Sequence, residues 1–201
     1  MKNKPESAAE FLANLRRNQQ FAEEERQREQ KSKLRTEELK KEEAAVLADL
    51  RNVRIFIESV WDLVNSKRNY PAAIPVLVRH LALPYSIRTK EGIARALSVE
   101  YAGTDAFVAL VQEFRKQNDD SEIGLKWVLG NAIATVARHS EANALISLVI
   151  DPSHGKARDM IILALPRVVR DKTRLREVLL DLAADECVGV FAKRAMESMS
   201  R

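Results

Sequence analysis

The chain has 201 residues, of which 46% are hydrophobic, and it contains only six glycines and six prolines. This length suffices for one buried core with an appendage and excludes two independent catalytic domains. Scarce helix breakers among abundant Ala, Leu, Arg, Lys and Glu predict an all-α protein.

Charged residues are nearly balanced, with 33 Lys and Arg against 29 Asp and Glu, a formal net charge of +4. DNA-binding domains usually concentrate basic residues on one element, so this excess points only weakly to nucleic acid. The single cysteine, Cys187, lies in an apolar run, where a buried thiol in a reducing compartment is expected. Without an apolar leader at the N-terminus or a stretch of about 18 apolar residues, we expect a cytoplasmic protein with no membrane partner.

Residues 1–45 predict a charged helical arm. Ser7 and Glu10 have the spacing of a capping box, and Phe11, Leu12 and Leu15 then share one helix face. Between positions 19 and 43 nearly every residue is charged or an amide, with opposite charges four residues apart. We expect a solvated arm on a monomer, with a dimer through the N-terminal helix as the alternative.

Residues 46–66 predict a single amphipathic capping helix. Its main apolar residues are spaced by four and three along the chain: Val46, Leu50, Val53, Ile57, Val60 and Val64. Trp61 widens this stripe and is expected in the core, and Pro71 marks the end of the segment.

Residues 70–201 repeat a two-helix unit four times. First helices are predicted at residues 74–81, 107–114, 142–150 and 175–182, and second helices at 87–101, 123–138, 156–169 and 187–199. The second helices align on an alanine followed by a large apolar residue, at Ala96, Ala132, Ala164 and Ala195. These alanines are 36, 32 and 31 residues apart, the length of a helix pair with short turns.

These units resemble HEAT repeats, as found in small bacterial HEAT-repeat proteins. The resemblance is carried by Ile74, Pro75 and Leu77, by Lys90, Glu91, Gly92, Ile93, Ala94 and Ala96, and by Lys156, Ala157, Arg158, Leu163, Ala164 and Leu165. It implies a right-handed α-solenoid of about four helix pairs, whose second helices line a concave face that grips protein partners. It also implies that residues 46–66 cap the first repeat, and Pro166 predicts a kink in the third second helix.

The chain carries no motif of catalysis, cofactor binding or metal binding. His80, His139 and His154 each lack a second ligand at metal-binding spacing, and phosphate-cradling loops and nucleophile elbows are missing from the sequence. Asp119 and Asp120 are neighbours, a pattern typical of a helix start. We therefore expect no enzymatic activity, no cofactor and no metal.

Six residues of the second helices form a candidate binding strip. The position six residues before the aligned alanine holds a cation in three repeats: Lys90, Lys126 and Arg158. The position five residues before it holds Glu91, Trp127 and Asp159. Equivalent positions of stacked repeats lie side by side, so these residues are expected on the concave face. We expect charged groups open to solvent and Trp127 partly exposed, the alternative being ordinary solvated positions with Trp127 packed between repeats.

This combination favours a non-catalytic protein–protein interaction module, either an adaptor or an inhibitor such as an immunity protein that opposes a toxin. The alternative is nucleic-acid binding in the same groove. HEAT-like alkylpurine DNA glycosylases surround a modified base with Trp, Asp and Arg, and the strip resembles that groove through Trp127, Asp159 and Arg158.

Overall fold

A computed structural model describes the backbone of residues 8–118 and 124–199, and the side chains of residues 20–118 and 124–199. Within these ranges all regular structure is helical and no strand occurs, which confirms the all-α prediction. The capping box at Ser7, the side chains of Phe11, Leu12 and Leu15, and the acidic pair at positions 119 and 120 lie outside the described residues.

The described α-helices are α1 (Ala8–Asn52), α2 (Trp61–Val64), α3 (Ile74–Leu81), α4 (Ile87–Leu97), α5 (Gly103–Lys116), α6 (Leu125–Val136), α7 (Ala142–Ile150), α8 (Asp159–Val168), α9 (Lys172–Leu182) and α10 (Gly189–Met199). Short 3₁₀ helices precede α3, α5, α7 and α8, at Pro71–Ala73, Glu100–Ala102, His139–Glu141 and Pro152–Arg158. The chain divides into two compact units, Met1–Glu42 and Glu43–Arg201.

The first unit is helical without a core among its described side chains. From position 20 to 41 all but one of the side chains are exposed, including Phe21 and Leu34 at 60% each. Polar contacts between successive turns, such as the 3.2 Å hydrogen bond from Gln27 to Glu23, connect side chains along the helix. Such contacts need no burial of apolar surface.

The prediction of one helix over residues 46–66 is wrong. Helix α1 ends at Asn52, and in the rest of this range only the four residues of α2 are helical. The backbone amide of Ile55 donates to the carbonyl of Leu50, and that of Arg54 donates to Arg51, with φ of Arg54 at 62°. These two bonds and the left-handed residue form a Schellman motif, which stops a helix. Apolar spacing alone did not reveal this end.

A buried contact places the segment that follows. The backbone amide of Val60, which is fully buried, donates at 3.2 Å to the carboxylate of Glu43, also fully buried. This bond returns the chain to α1 so that α2 starts beside it and packs on α4.

The remaining helices pack as four pairs in sequence order: α3 with α4, α5 with α6, α7 with α8, and α9 with α10. The second members contact one another in succession, α4 with α6, α6 with α8, and α8 with α10, which confirms the predicted adjacency of the second helices. First members also contact, α3 with α5 and α7 with α9. Three of the four aligned alanines, Ala96, Ala132 and Ala195, are at most 1% exposed and allow close approach in the second-helix row, whereas Ala164 is only half-buried.

Helices α6 and α8 run side by side in the same direction. Near their N-termini, Trp127 of α6 donates a hydrogen bond to Asp159 of α8. Near their C-termini, the guanidinium of Arg167 donates to the carbonyls of Ala134 and Ala137, at 2.6 and 2.9 Å. Pro166 lies inside α8, and the kink expected there stays a prediction.

Replacing Arg54 by glycine tests the helix end. A left-handed backbone conformation destabilises the folded state by about 1–2 kcal/mol when the residue has a Cβ. Glycine removes this penalty, but it also has more conformational entropy in the unfolded chain, which offsets part of the gain. We expect Arg54→Gly to raise the free energy of unfolding by roughly 0.5–1 kcal/mol in urea titrations. Arg51→Gly is the matched control. Arg51 lies within α1, where glycine is a poor helix former, so this variant should lower the free energy of unfolding by up to about 1 kcal/mol. A loss in both variants would contradict the assignment.

Candidate functional site

The three cations of the candidate strip form a buried column rather than an open surface. Lys126 is 3% exposed, Arg158 is 2% exposed, and the side chain of Lys90 is 13% exposed. The prediction that their charged groups face solvent is therefore wrong for Lys126 and Arg158. Burial of a cation requires hydrogen bonds or an opposite charge at each position.

Lys90 and Lys126 find their partners on neighbouring helices and turns. The ammonium of Lys90, on α4, forms an ion pair with the buried carboxylate of Glu113 on α5. The ammonium of Lys126 lies 5.5 Å from the ring centroid of Phe114 and 3.4 Å from the carbonyl of Ser153. Both cations therefore join elements of successive helix pairs.

The guanidinium of Arg158 is the most completely satisfied member of the column. It donates to the carbonyl of Gly155 at 2.9 Å, to that of Val149 at 3.1 Å, and to the carboxylate of Asp185 at 2.8 Å. Partial burial raises the pKa of Asp185, but hydrogen bonds from Arg158 and from the amides of residues 187 and 188 hold that pKa below its usual value. Arg158 thereby fixes the turn before α8 and the turn before α10.

Gly189 breaks the column in the fourth pair for a steric reason. A Cβ added at Gly189 would lie 2.7 Å from the carbonyl oxygen of Ala183, at the end of α9. Helix α10 approaches its partner too closely at this position for a long side chain.

The second column faces outward and lines a cleft. Trp127 and Asp159 are half-buried, and the indole nitrogen Nε1 of Trp127 donates at 3.1 Å to Oδ2 of Asp159. Together with Lys156, Cys187 and Phe191 they surround a cleft of about 340 Å³. The partial exposure predicted for Trp127 is confirmed, and we refer to these five residues as the cleft.

Three residues of the cleft, Lys156, Cys187 and Phe191, were missed by counting from the aligned alanines. Phe191 lies four residues before Ala195, one position beyond the column that holds Trp127 and Asp159. Cys187 was expected to be buried in a helix, and this expectation is wrong: α10 begins at Gly189, and Cys187 is exposed in the preceding turn. Its amide donates at 2.8 Å to Asp185, which keeps Cys187 outside the helix.

Glu91, the first member of the outward column, belongs to a second aromatic cluster. The guanidinium carbon of Arg88 lies 3.6 Å from the ring centroid of Trp61. A guanidinium nitrogen of the same arginine lies 3.6 Å from Oε2 of Glu91. Trp61 is half-buried against α4, so it belongs to the core only in part.

A larger groove of about 760 Å³ lies between α3 and α5, away from the cleft. Its lining includes Pro75, Val78 and Val108, with charged groups at Arg79 and Asp105. Sequence reasoning did not find this groove, because its residues are single apolar positions on two first helices. Only the packing of α3 against α5 brings them together.

Within the described ranges, no group of three or more His, Cys, Asp or Glu residues is placed to hold a metal ion. Nor does any helix described there have the length and apolar character needed to cross a bilayer. Comparison of the chain with protein-family models, curated proteins and solved structures gives no match. The geometry of the cleft therefore carries the functional argument.

His154 is buried beneath the turn that leads to the cleft. It is 7% exposed, its ring centroid lies 4.8 Å from that of Phe114, and its Nε2 lies 3.6 Å from a carboxylate oxygen of Asp151. Its Nδ1 has no hydrogen-bond partner among the described residues. This environment accommodates a neutral imidazole better than a charged one.

The charges around His154 act mostly in the same direction as its burial. Burial lowers the pKa of His154 below its usual value of 6.5, and the cations Lys126, Arg115 and Arg158 lower it further. Only the carboxylate of Asp151 raises the pKa. The folded protein therefore binds a proton at this position less readily than the unfolded chain does.

His154 should make stability depend on pH near neutrality. Because the pKa of His154 is lower in the folded protein than in the unfolded chain, protonation favours the unfolded chain. The stability is therefore full above the pKa of the unfolded chain and declines as the pH falls through about 6.5. We expect the free energy of unfolding to decrease between about pH 7.5 and about pH 5.5, and to decrease less in His154→Gln. Urea titrations at both pH values measure the difference, and equal decreases in the two proteins would contradict it.

Asp185→Asn tests the buried ion pair. The asparagine side chain keeps an oxygen that accepts from the backbone amides of the turn, but it removes the negative charge that faces Arg158. We expect the loss of this charge to lower the free energy of unfolding by roughly 2–4 kcal/mol, since the carboxylate is partly exposed. Asp171→Asn is the matched control, because Asp171 accepts hydrogen bonds from two amides of α9. We expect that control to lose no more than about 1 kcal/mol in urea titrations. Equal losses would show that only helix capping matters at Asp185.

Proposed function

We propose that the chain is a non-catalytic, cytoplasmic protein-binding module, built as a right-handed HEAT-type solenoid whose concave face is formed by the second helices. The observation that carries the proposal is the cleft, where the half-buried Trp127 and Phe191 border one cavity. Partly exposed aromatic side chains in a pocket are typical of the residues that dominate protein–protein binding energy.

The helix contacts support the solenoid part of the proposal. Each pair packs on the next through its second helix, and α6 and α8 run in the same direction. In a solenoid each repeat contacts mainly its neighbours, so equivalent positions form rows across the surface. The outward positions of Trp127 and Asp159 belong to such a row.

Nucleic-acid binding by the same groove has less support. In the glycosylase-like arrangement Arg158 has to reach a base, yet its guanidinium is 2% exposed and bonded to two carbonyls and a carboxylate. The cleft is lined by one carboxylate, that of Asp159, and by one lysine, Lys156, so its charges give phosphate groups no net attraction. A protein partner fits an aromatic cleft with a carboxylate better.

Cys187 provides a specific test, because it is the single cysteine, is exposed and lines the cleft. A photo-cross-linker attached to its thiol should join a protein from a native extract on illumination. We expect Phe191→Ala to reduce the yield of that adduct about tenfold or more, since a lost hot-spot contact weakens binding by that factor. Thermal unfolding by circular dichroism verifies that the variant remains folded.

The matched control carries the same reagent on the groove between α3 and α5, in the double variant Cys187→Ser with Val108→Cys. Val108 is 46% exposed and lines that groove. We expect no adduct with the same protein from this position. An adduct with nucleic acid, or an equal protein yield after Phe191→Ala, would overturn the proposal.

A further inference from the structure

Arg95, near the end of α4, has a half-buried side chain without a partner for its charge. Among the arginines whose side chains the structure describes, only Arg158 and Arg95 are not exposed. The guanidinium of Arg158 donates to three acceptors. That of Arg95 forms no hydrogen bond or ion pair with any described residue, and its Nε is buried without a partner. A buried N–H that donates to nothing destabilises the folded protein, so this guanidinium needs an acceptor from outside the described chain.

Helices α4 and α6, which carry the site, run side by side in the same direction. At their C-terminal ends the hydroxyl of Ser98 donates at 3.1 Å to that of Thr135. A few residues further along both segments, the guanidinium of Arg138 donates at 3.2 Å to the carbonyl of Glu100. The two contacts advance together along the chain, so the residues one turn before Ser98 and one turn before Thr135 are neighbours.

Those neighbours are Arg95 and Asn131. Arg95 precedes Ser98 by three residues, and Asn131 precedes Thr135 by four. Residues three or four apart share a helix face, and both Arg95 and Asn131 are half-buried. Trp127 precedes Asn131 by four residues, so the same face continues one turn later into the cleft. Arg95 and Asn131 therefore extend the surface on which the proposed function depends.

The donors at this position suit a carboxylate. A guanidinium presents a planar fork of N–H groups that matches the two oxygens of a carboxylate, and the amide of Asn131 adds further donors beside it. Glu91 lies one turn before Arg95, but its carboxylate pairs with Arg88 at 3.6 Å and forms no ion pair with Arg95. The negative charge of Glu91 opposes a chain of phosphates more than it opposes one carboxylate. An acidic side chain of a protein therefore fits better than a nucleic-acid backbone.

We infer that Arg95 and Asn131 bind the carboxylate of a glutamate or aspartate side chain presented by the protein partner, an assignment that rests on the proposed function and names its partner chemistry. The guanidinium of Arg95 pairs with the carboxylate, and the amide of Asn131 donates to it. An apolar side chain of the same partner then packs on Trp127 and Phe191 in the cleft. The partner surface thus carries an acidic residue next to an apolar one.

The test uses the full chain labelled with ¹⁵N and two blocked tripeptides, acetyl-Gly-Glu-Gly-amide and acetyl-Gly-Gln-Gly-amide, in a buffer without carboxylate or phosphate. Glutamine has nearly the shape of glutamate without the charge. Titrations are followed at the Nε–H signal of Arg95, which is assigned as the signal missing from Arg95→Lys. We expect the glutamate peptide to shift this signal saturably and to bind about tenfold more tightly than the glutamine peptide.

Arg95→Gln should weaken glutamate-peptide binding about tenfold, because the charge partner of the carboxylate is lost. This titration is followed at the side-chain amide signals of Asn131, which are assigned with Asn131→Ala. Arg194→Gln is the matched control, since Arg194 also directly precedes an aligned alanine but is exposed on α10. Its affinity for the glutamate peptide should not change. Circular dichroism verifies that each variant is folded.

The absence of a saturable shift with the glutamate peptide, equal affinities for the two peptides, or equal losses in Arg95→Gln and Arg194→Gln would overturn carboxylate recognition at Arg95. If the Cys187 cross-linker still captures a protein in a Phe191-dependent manner, the proposed function stands and only this inference fails. A duplex DNA that shifts the Arg95 signal when neither peptide does would overturn both.

Discussion

The guanidinium of Arg158 needs partners at the point where α8 begins, because a buried cation without hydrogen bonds or an opposite charge is strongly destabilising. It finds them in the carbonyls of Val149 and Gly155 and in the carboxylate of Asp185. These groups belong to the turns that lead into α8 and α10, so one cation holds both turns in place. Asp159 follows Arg158 directly, and Asp185 in turn positions Cys187, so this interaction sets two walls of the cleft.

Scaffold and site are adjacent in the sequence because consecutive residues of an α-helix point about 100° apart. Lys126 and Arg158 turn inward and join successive helix pairs, while Trp127 and Asp159, one residue later, turn toward the cleft. The outward residue can therefore change without loss of the buried contacts. The same adjacency means that a change at Arg158 disturbs the cleft through the fold, because Arg158 itself does not line it.

The two tryptophans of the second unit lie in different surroundings. The guanidinium of Arg88 stacks on the ring of Trp61 and pairs with Glu91. Trp127 donates its indole N–H to Asp159, and both residues line the cleft. The contact between Trp127 and Asp159 therefore connects α6 to α8 at the surface on which the proposed function depends.

Local periodicity by itself determined the helices: α3 and α7 have the predicted bounds, and the aligned alanines identified the row of second helices, because both depend on residues close in sequence. It located Trp127 and Asp159 at outward positions for the same reason. Only the tertiary structure decided that the chain returns to α1 after the helix ends at Asn52, that Lys126 and Arg158 are buried, and that Lys156, Phe191 and Cys187 complete the cleft. These features depend on pairs that are more than 15 residues apart, such as Val60 with Glu43 and Arg158 with Asp185, and a helical repeat carries no signal for such distant pairs.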